Sequence, residues 1–170
     1  MQTELGLDIA TAAPAGHPAD RLPQLYRLET YRVSFVCEPG MNPGQPVRSS
    51  EDLAHYARSI YATLDVDKEH FTIIATNNKN RVNGFKVVST GSLTASLVHP
   101  REVWRSALHL CAAAVLFVHN HPSGDPAPSP EDIDITKRLK ETADLLGIRI
   151  LDHVILGHDR YFSFSDKGML

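Results

Sequence analysis

The sequence predicts an α/β fold, a mixed β-sheet flanked by α-helices, and three observations carry that expectation. Helical and strand signals are interspersed in the order β-α-β-β-α-β-α-β-β, so helices are distributed among strands rather than segregated from them. Two strand-like runs, "FTIIAT" and "FKVVSTGSL", flank the turn-rich "NNKNRVNG" and read as a hairpin in the middle of the chain. The run "AVLFVH", residues 114–119, is short and unbroken in its apolar character, as a central strand is. At 170 residues the chain has room for one such domain and not for two comfortable ones.

Residues 1–24, rich in Ala, Pro and Gly, read as a flexible leader, and residues 25–170 as the single domain. The segment "LYRLETYRVSFV" (25–36) is enriched in Thr, Tyr, Val and Phe and reads as the first strand. "EPGMNPGQPV" is a loop by its Pro and Gly. "SSEDLAHYARSIYATL" opens on Ser49 three residues before Asp52, an acidic capping pair, and Leu53, Tyr56, Ala57, Ile60, Tyr61 and Leu64 follow helical spacing. The hairpin comes next. Pro100 then starts the helix "PREVWRSALHLCAAA", because its missing N–H costs nothing in a first turn. After the strand at 114–119, Ser129 followed by Pro130, Glu131 and Asp132 is a strong helix start. That helix runs through Ile135, Leu139 and Leu146 to a stop at Gly147. "IRILDHVILG" and "RYFSFS" read as two closing strands.

Hydrophobic residues at 42% and charged residues at 22% fit an ordinary globular chain rather than a disordered one. Net charge is −3 with both signs interleaved, so no electrostatic footprint for nucleic acid is visible. Cys37 and Cys111 are isolated, which argues against a zinc finger or a CxxC redox pair. No stretch approaches the ~20 apolar residues of a membrane span. The leader lacks a positive region followed by an apolar core, so it is no secretory signal, and the cytoplasm is the expected compartment.

The chemistry concentrates in "FVHNHPSGDPAPSPEDIDI", residues 117–135. In an extended segment His119 and His121 point to one side, where two imidazoles can share a metal ion. A turn-rich loop then leads into the helix start that holds Ser129 and Asp132. Two histidines and one carboxylate leave a fourth tetrahedral position for water, the layout of a hydrolytic zinc site. Each part also has a plainer reading. Asp132 suits any helix N-terminus, Ser129 is a good cap, and Asp125 and Asp134 are rival carboxylates by spacing alone. Glu69 is a candidate general base at the start of a strand. Glu102 and Glu131 compete with it but are better explained as first-turn helix acids. His55, His70 and His109 read as packing or surface residues, and His99 as a turn cap before Pro100. In "LDHVIL", Asp152 and His153 interrupt an apolar strand and need partners there, so support behind the site is one role open to them.

The segments "HNHPSGDPAPSPEDIDITKRL", "HPREVWRSALHLCAAAVLFVHNHPSG" and "LLGIRILDHVILG" closely resemble the RadC family, a bacterial branch of the JAB/MPN fold. The pattern His-x-His-x7-Ser-x2-Asp, here His119, His121, Ser129 and Asp132, is its JAMM metal motif, and the resemblance runs from about residue 45 to 166. It implies a JAB/MPN-like (cytidine deaminase-like) sheet and a Zn2+ ion held by His119, His121 and Asp132. It implies that Glu69, in "KEHF", is the base activating the water, and that Ser129 donates to the developing oxyanion. The wider superfamily cleaves amide bonds in peptides and ubiquitin-like tails, so a peptide or protein substrate is expected. The RadC branch also carries a DNA-repair label, and many members have an N-terminal helix-hairpin-helix region. Here the first 45 residues read as leader and strand, so a short form without that region is expected.

Three functions follow. The leading one is a zinc metallopeptidase-like hydrolase. The second is a non-catalytic MPN interaction module, against which the intact ligand set argues. The third is a DNA-repair-associated metal-dependent nuclease, which the letters "HNH" invite and the balanced charge disfavours.

Overall fold

The computed structural model describes residues 44–91 and 98–170. The leader, Cys37 and the strand expected at 25–36 lie outside the described residues, as does the end of "FKVVSTGSL" beyond Gly91. Within them the order is α1 (Ser50–Tyr61), β1 (Glu69–Thr76), β2 (Val82–Gly91), α2 (Pro100–His109), β3 (Ala114–Asn120), α3 (Pro130–Leu146), β4 (Arg149–Leu156) and β5 (Tyr161–Ser163). The expected mixed α/β sheet is present, with strand order β2-β1-β3-β4-β5. Only β3 and β4 run parallel, and α3 forms the crossover between them; the other pairs are antiparallel.

The helices divide between the two faces. Leu53, Ala57 and Ile60 of α1 pack on Ile74, Leu116, Val118, Val154 and Leu156. On the opposite face Val103, Trp104 and Ala107 of α2 and Leu139 and Ala143 of α3 cover Phe71, Ile73, Val115 and Phe117. Residues such as Leu53, Ile60, Ile73 and Leu139 are fully buried, each stabilising the fold by roughly 1.5–3 kcal/mol. Strands β1 and β3 are buried on both faces, which is why "FTIIAT" and "AVLFVH" are continuous apolar runs rather than alternating ones.

Local signals set the helix limits. Ser49 caps α1 by accepting from the Asp52 N–H at 3.1 Å. Helix α2 begins at Pro100 with the His99 ring as cap, but stops at His109, short of the expected "LCAAA". Cys111 sits at φ 50°, in the left-handed region, which breaks the helical path and turns the chain into β3. Gly147 ends α3 at φ 67°, a conformation that favours glycine.

Candidate metal centre

The antiparallel register pairs Phe71 with His119, so continuing it two residues, just past the end of β3, sets Glu69 opposite His121. Directly opposed residues share a face of the sheet, which puts both histidines and Glu69 on the side covered by α3. The first turn of α3 closes over this strand end and adds Asp132. One ligand atom from each of Glu69, His119, His121 and Asp132 lies within 4.8 Å of all the others, a group that could hold a metal ion.

Each side chain is held by its own framework. Ser129 and Asp132 form a reciprocal capping box: the Ser129 Oγ accepts from the Asp132 N–H at 3.1 Å, and Asp132 Oδ2 accepts from the Ser129 N–H at 2.7 Å. The Ser129 hydroxyl also donates to Oδ2, at 2.6 Å. Oδ2 is therefore occupied by the cap, while Oδ1 faces His119 Nε2 at 3.1 Å. The sequence left cap and ligand open as rival explanations of Asp132; one carboxylate serves the helix through Oδ2, which also lies 3.4 Å from His121 Nε2, and faces His119 with Oδ1.

His121 is fixed by a backbone group. Its Nδ1 lies 2.8 Å from the Asp125 carbonyl, which can only accept, so Nδ1 carries the hydrogen and Nε2 is left with its lone pair. Nε2 of His121 is 3.1 Å from Nε2 of His119 and 3.4 Å from Asp132 Oδ2. Two ring nitrogens and a carboxylate thus converge on one point. A tetrahedral zinc site with bonds of ~2.0–2.1 Å has ligand–ligand edges of about 3.3 Å, close to the 3.1 Å edges from His119 to His121 and Asp132. The donor set fits a divalent cation, and two neutral imidazoles with two carboxylates balance its charge.

The electrostatics point the same way. Burial works against ionisation of Asp132, but the His119 and His121 rings beside it outweigh that and hold the carboxyl well below the usual range. The Asp132 carboxylate in turn raises His121 above the ordinary histidine value, against a smaller opposing effect of burial. The rival carboxylates are elsewhere: Asp125 and Asp134 are exposed, and the Asp125 side chain accepts from the Ala127 N–H at 3.2 Å. Glu102 pairs with Arg105, and Glu131 is exposed.

Two supporting residues, Asn120 and Tyr61, escaped the sequence reading, and the roles of His70, Asp152 and His153 become specific. Asn120, between the two histidines, projects to the other face of β3 and clamps both neighbours of Glu69, accepting from the His70 N–H at 2.8 Å and donating to the Lys68 carbonyl at 2.9 Å. Tyr61 of α1 lies with its hydroxyl 2.8 Å from the carbonyls of His70 and Val118, just behind Glu69 and His119, and its burial raises the phenol pKa. His70 is a satisfied core histidine, bonded to Thr90 and to the Asp65 carbonyl. The Asp152–His153 pair divides. Asp152 accepts from Ser163, from the Ser165 N–H and from the His153 N–H, bracing the C-terminal turn. His153 is fully buried and its Nε2 lies 2.9 Å from His119 Nδ1. The polar "DH" inside an apolar strand was the only signal for it.

A cleft of about 270 Å³ opens beside His121, lined by Tyr61, Val66, Pro122 and Leu156 together with Arg58 and His158. Among the described residues no helix is long and apolar enough to cross a membrane.

A family model described as a RadC-like JAB domain matches residues 47–169, which takes in every element above. A UPF0758 protein of Geobacter sulfurreducens is 53% identical over 144 residues, covering 85% of this chain and 59% of the relative. A UPF0758 protein of Desulfitobacterium hafniense is 44% identical over 143 residues, covering 84% of this chain and 61% of the relative. The chain thus spans about three fifths of the length of these curated relatives.

Proposed function

The chain belongs to the RadC-like JAB domain family, and from that premise we propose that it is a zinc-dependent hydrolase cleaving an amide bond in a peptide or protein, isopeptidase-like in type. The observation that carries this reading is the convergence of Glu69, His119, His121 and Asp132, drawn from two strands and a helix. His119 and His121 through Nε2, and Asp132 through Oδ1, would hold the ion. When bound, zinc supplies Lewis acidity, acidifying water and polarising the amide carbonyl.

The chain's own groups do the rest. Glu69 takes the proton of the attacking water and returns it to the departing nitrogen, a role that requires the fixed position Asn120 gives its backbone. Ser129 stands with its hydroxyl on Asp132 Oδ2, and turning that hydrogen outward would offer a donor to the oxyanion. The net charge of −3 suits a peptide chain better than a polyphosphate backbone as substrate. The cytoplasm remains the compartment that suits this reading.

The test is metal analysis of the purified full chain beside His119→Ala, followed by assay against peptide and isopeptide libraries. One zinc per chain, lost in His119→Ala, with cleavage of a library member is expected. Full zinc content with no hydrolysis would favour the non-catalytic module instead.

A further inference from the structure

We propose that His153 and Thr136 are positioning residues that fix His119 in the tautomer presenting Nε2 to the metal. The inference rests on the metal-centre reading above. Hydrogen bonds connect the side chain of one ligand residue to the backbone of another: His119 Nδ1 to His153 Nε2 at 2.9 Å, His153 Nδ1 to Thr136 Oγ1 at 2.6 Å, and Thr136 Oγ1 to the Asp132 carbonyl at 2.5 Å.

The direction of each bond follows from the last one. A carbonyl can only accept, so Thr136 gives its single hydrogen to Asp132. The Thr136 oxygen then accepts, which puts a hydrogen on His153 Nδ1. With its one ring hydrogen there, His153 has a bare Nε2, and His119 Nδ1 must be the donor. Nε2 of His119 is left with a lone pair facing His121 and Asp132. Coordination demands the same polarity from the opposite end, because a neutral ring that ligates through Nε2 keeps its hydrogen on Nδ1. Both ends agree.

Thr136 is needed because His153 alone is ambiguous. The usual partner behind a ligating histidine is a carboxylate, a carbonyl or water. An imidazole can donate or accept, so by itself it permits two arrangements, one of which places a hydrogen where the metal should be. Thr136 removes that second arrangement. The His153 ring cannot turn to escape it: it is fully buried, stacked on Phe164 with centroids 4.8 Å apart and planes 10° apart, and edge-on to Phe71 and Phe117.

A threonine bonding back to the carbonyl four residues earlier is also an ordinary helical contact, so the experiment must separate positioning from packing. The 15N-labelled, metal-free full chain is examined by long-range nitrogen–proton correlation to read the His119 tautomer, and zinc affinity is measured by chelator competition. Thr136→Val keeps the shape and removes the hydroxyl; Thr136→Ser restores it; His153→Phe removes the acceptor. We expect Nδ1–H on His119 in the unaltered chain, a mixture of tautomers in Thr136→Val, and zinc Kd weakened about 10–100-fold in Thr136→Val and His153→Phe. Thr136→Ser should recover both properties, which a purely steric role would not produce. Zinc affinity unchanged by Thr136→Val, or a hydrogen on His119 Nε2 in the unaltered metal-free chain, overturns the proposal while leaving the metal centre intact. If Thr136→Val does not fold, the tautomer of the unaltered chain and the affinity of His153→Phe decide in the same way. Failure of the unaltered chain to bind zinc sinks the metal-centre reading and this inference with it.

Discussion

Asn120 brackets Glu69: its carboxamide takes the N–H of the following residue at 2.8 Å and gives a hydrogen to the carbonyl of the preceding one at 2.9 Å. The clamp ties the proposed base to the strand that bears both histidines. Asn120→Ala should lower stability by about 1–3 kcal/mol and reduce turnover while zinc content stays full. Normal turnover in a correctly folded Asn120→Ala would show that Glu69 needs no such support.

Glu69→Gln changes charge and basicity with little change of shape. Zinc content should be retained and hydrolysis should drop by about 10²–10⁴-fold, the range for losing a general base. Metal analysis and library cleavage on the same preparation settle it; retained cleavage removes Glu69 from the mechanism.

Asp132→Asn should damage two functions at once. The amide can turn its oxygen toward the metal or toward Ser129, and either choice sets an NH2 group against an existing donor or the cation. Loss of the cap alone costs about 1 kcal/mol, and zinc affinity should fall with it. Thermal melts with and without zinc separate the two effects, since only the cap loss persists in metal-free protein.

Gly124 stands at φ +82°, and a Cβ there would lie 2.2 Å from the His158 ring. The same short loop carries the Asp125 carbonyl that orients His121. Gly124→Ala should therefore cost about 1–3 kcal/mol in backbone strain and weaken zinc binding. Adding His158→Ala relieves the clash but not the φ, so only partial recovery of the melting temperature is expected.

Zinc binding should weaken on acidification from a higher pH than an unperturbed histidine would dictate. Asp132 raises the His121 pKa, so protons hold that nitrogen at higher pH and compete with the ion sooner. Affinity is full above the raised value and declines as pH falls through it. Chelator competition across pH 5 to 8, about the range in which histidine titrates, reads the onset. A profile that starts to fall only below the ordinary histidine range would exclude this coupling.

Much of the site was legible because its signals are local. His119 and His121 share a strand face by period two, and Ser129 with Asp132 announces a helix start at fixed spacing. Helix limits were legible where a cap residue marks them, as at Ser49 and Gly147, and failed at Cys111, whose positive φ no propensity foretells. What stayed hidden depends on register between distant segments. Spacing alone could not choose Asp132 over Asp125 or Asp134, because the choice is made by how the first turn of α3 lands on β3. Asn120 and His153 gained their roles from pairings of β3 with β1 and β4, the latter shifted by an irregularity between Val115 and Leu116.

The four converging side chains come from strand and helix segments that are far apart in the chain and meet only once β1, β3 and α3 have assembled. An unfolded polypeptide cannot offer that constellation, so whatever the cation gains on binding is added to the margin by which the folded form prevails, about 2.7 kcal/mol at a free concentration one hundred times Kd. The two apolar layers hold the sheet together from its faces, and a bound ion would act as a rivet through its end. Under metal starvation, molecules would lose ruggedness as well as activity, and protease resistance would rise and fall with zinc supply.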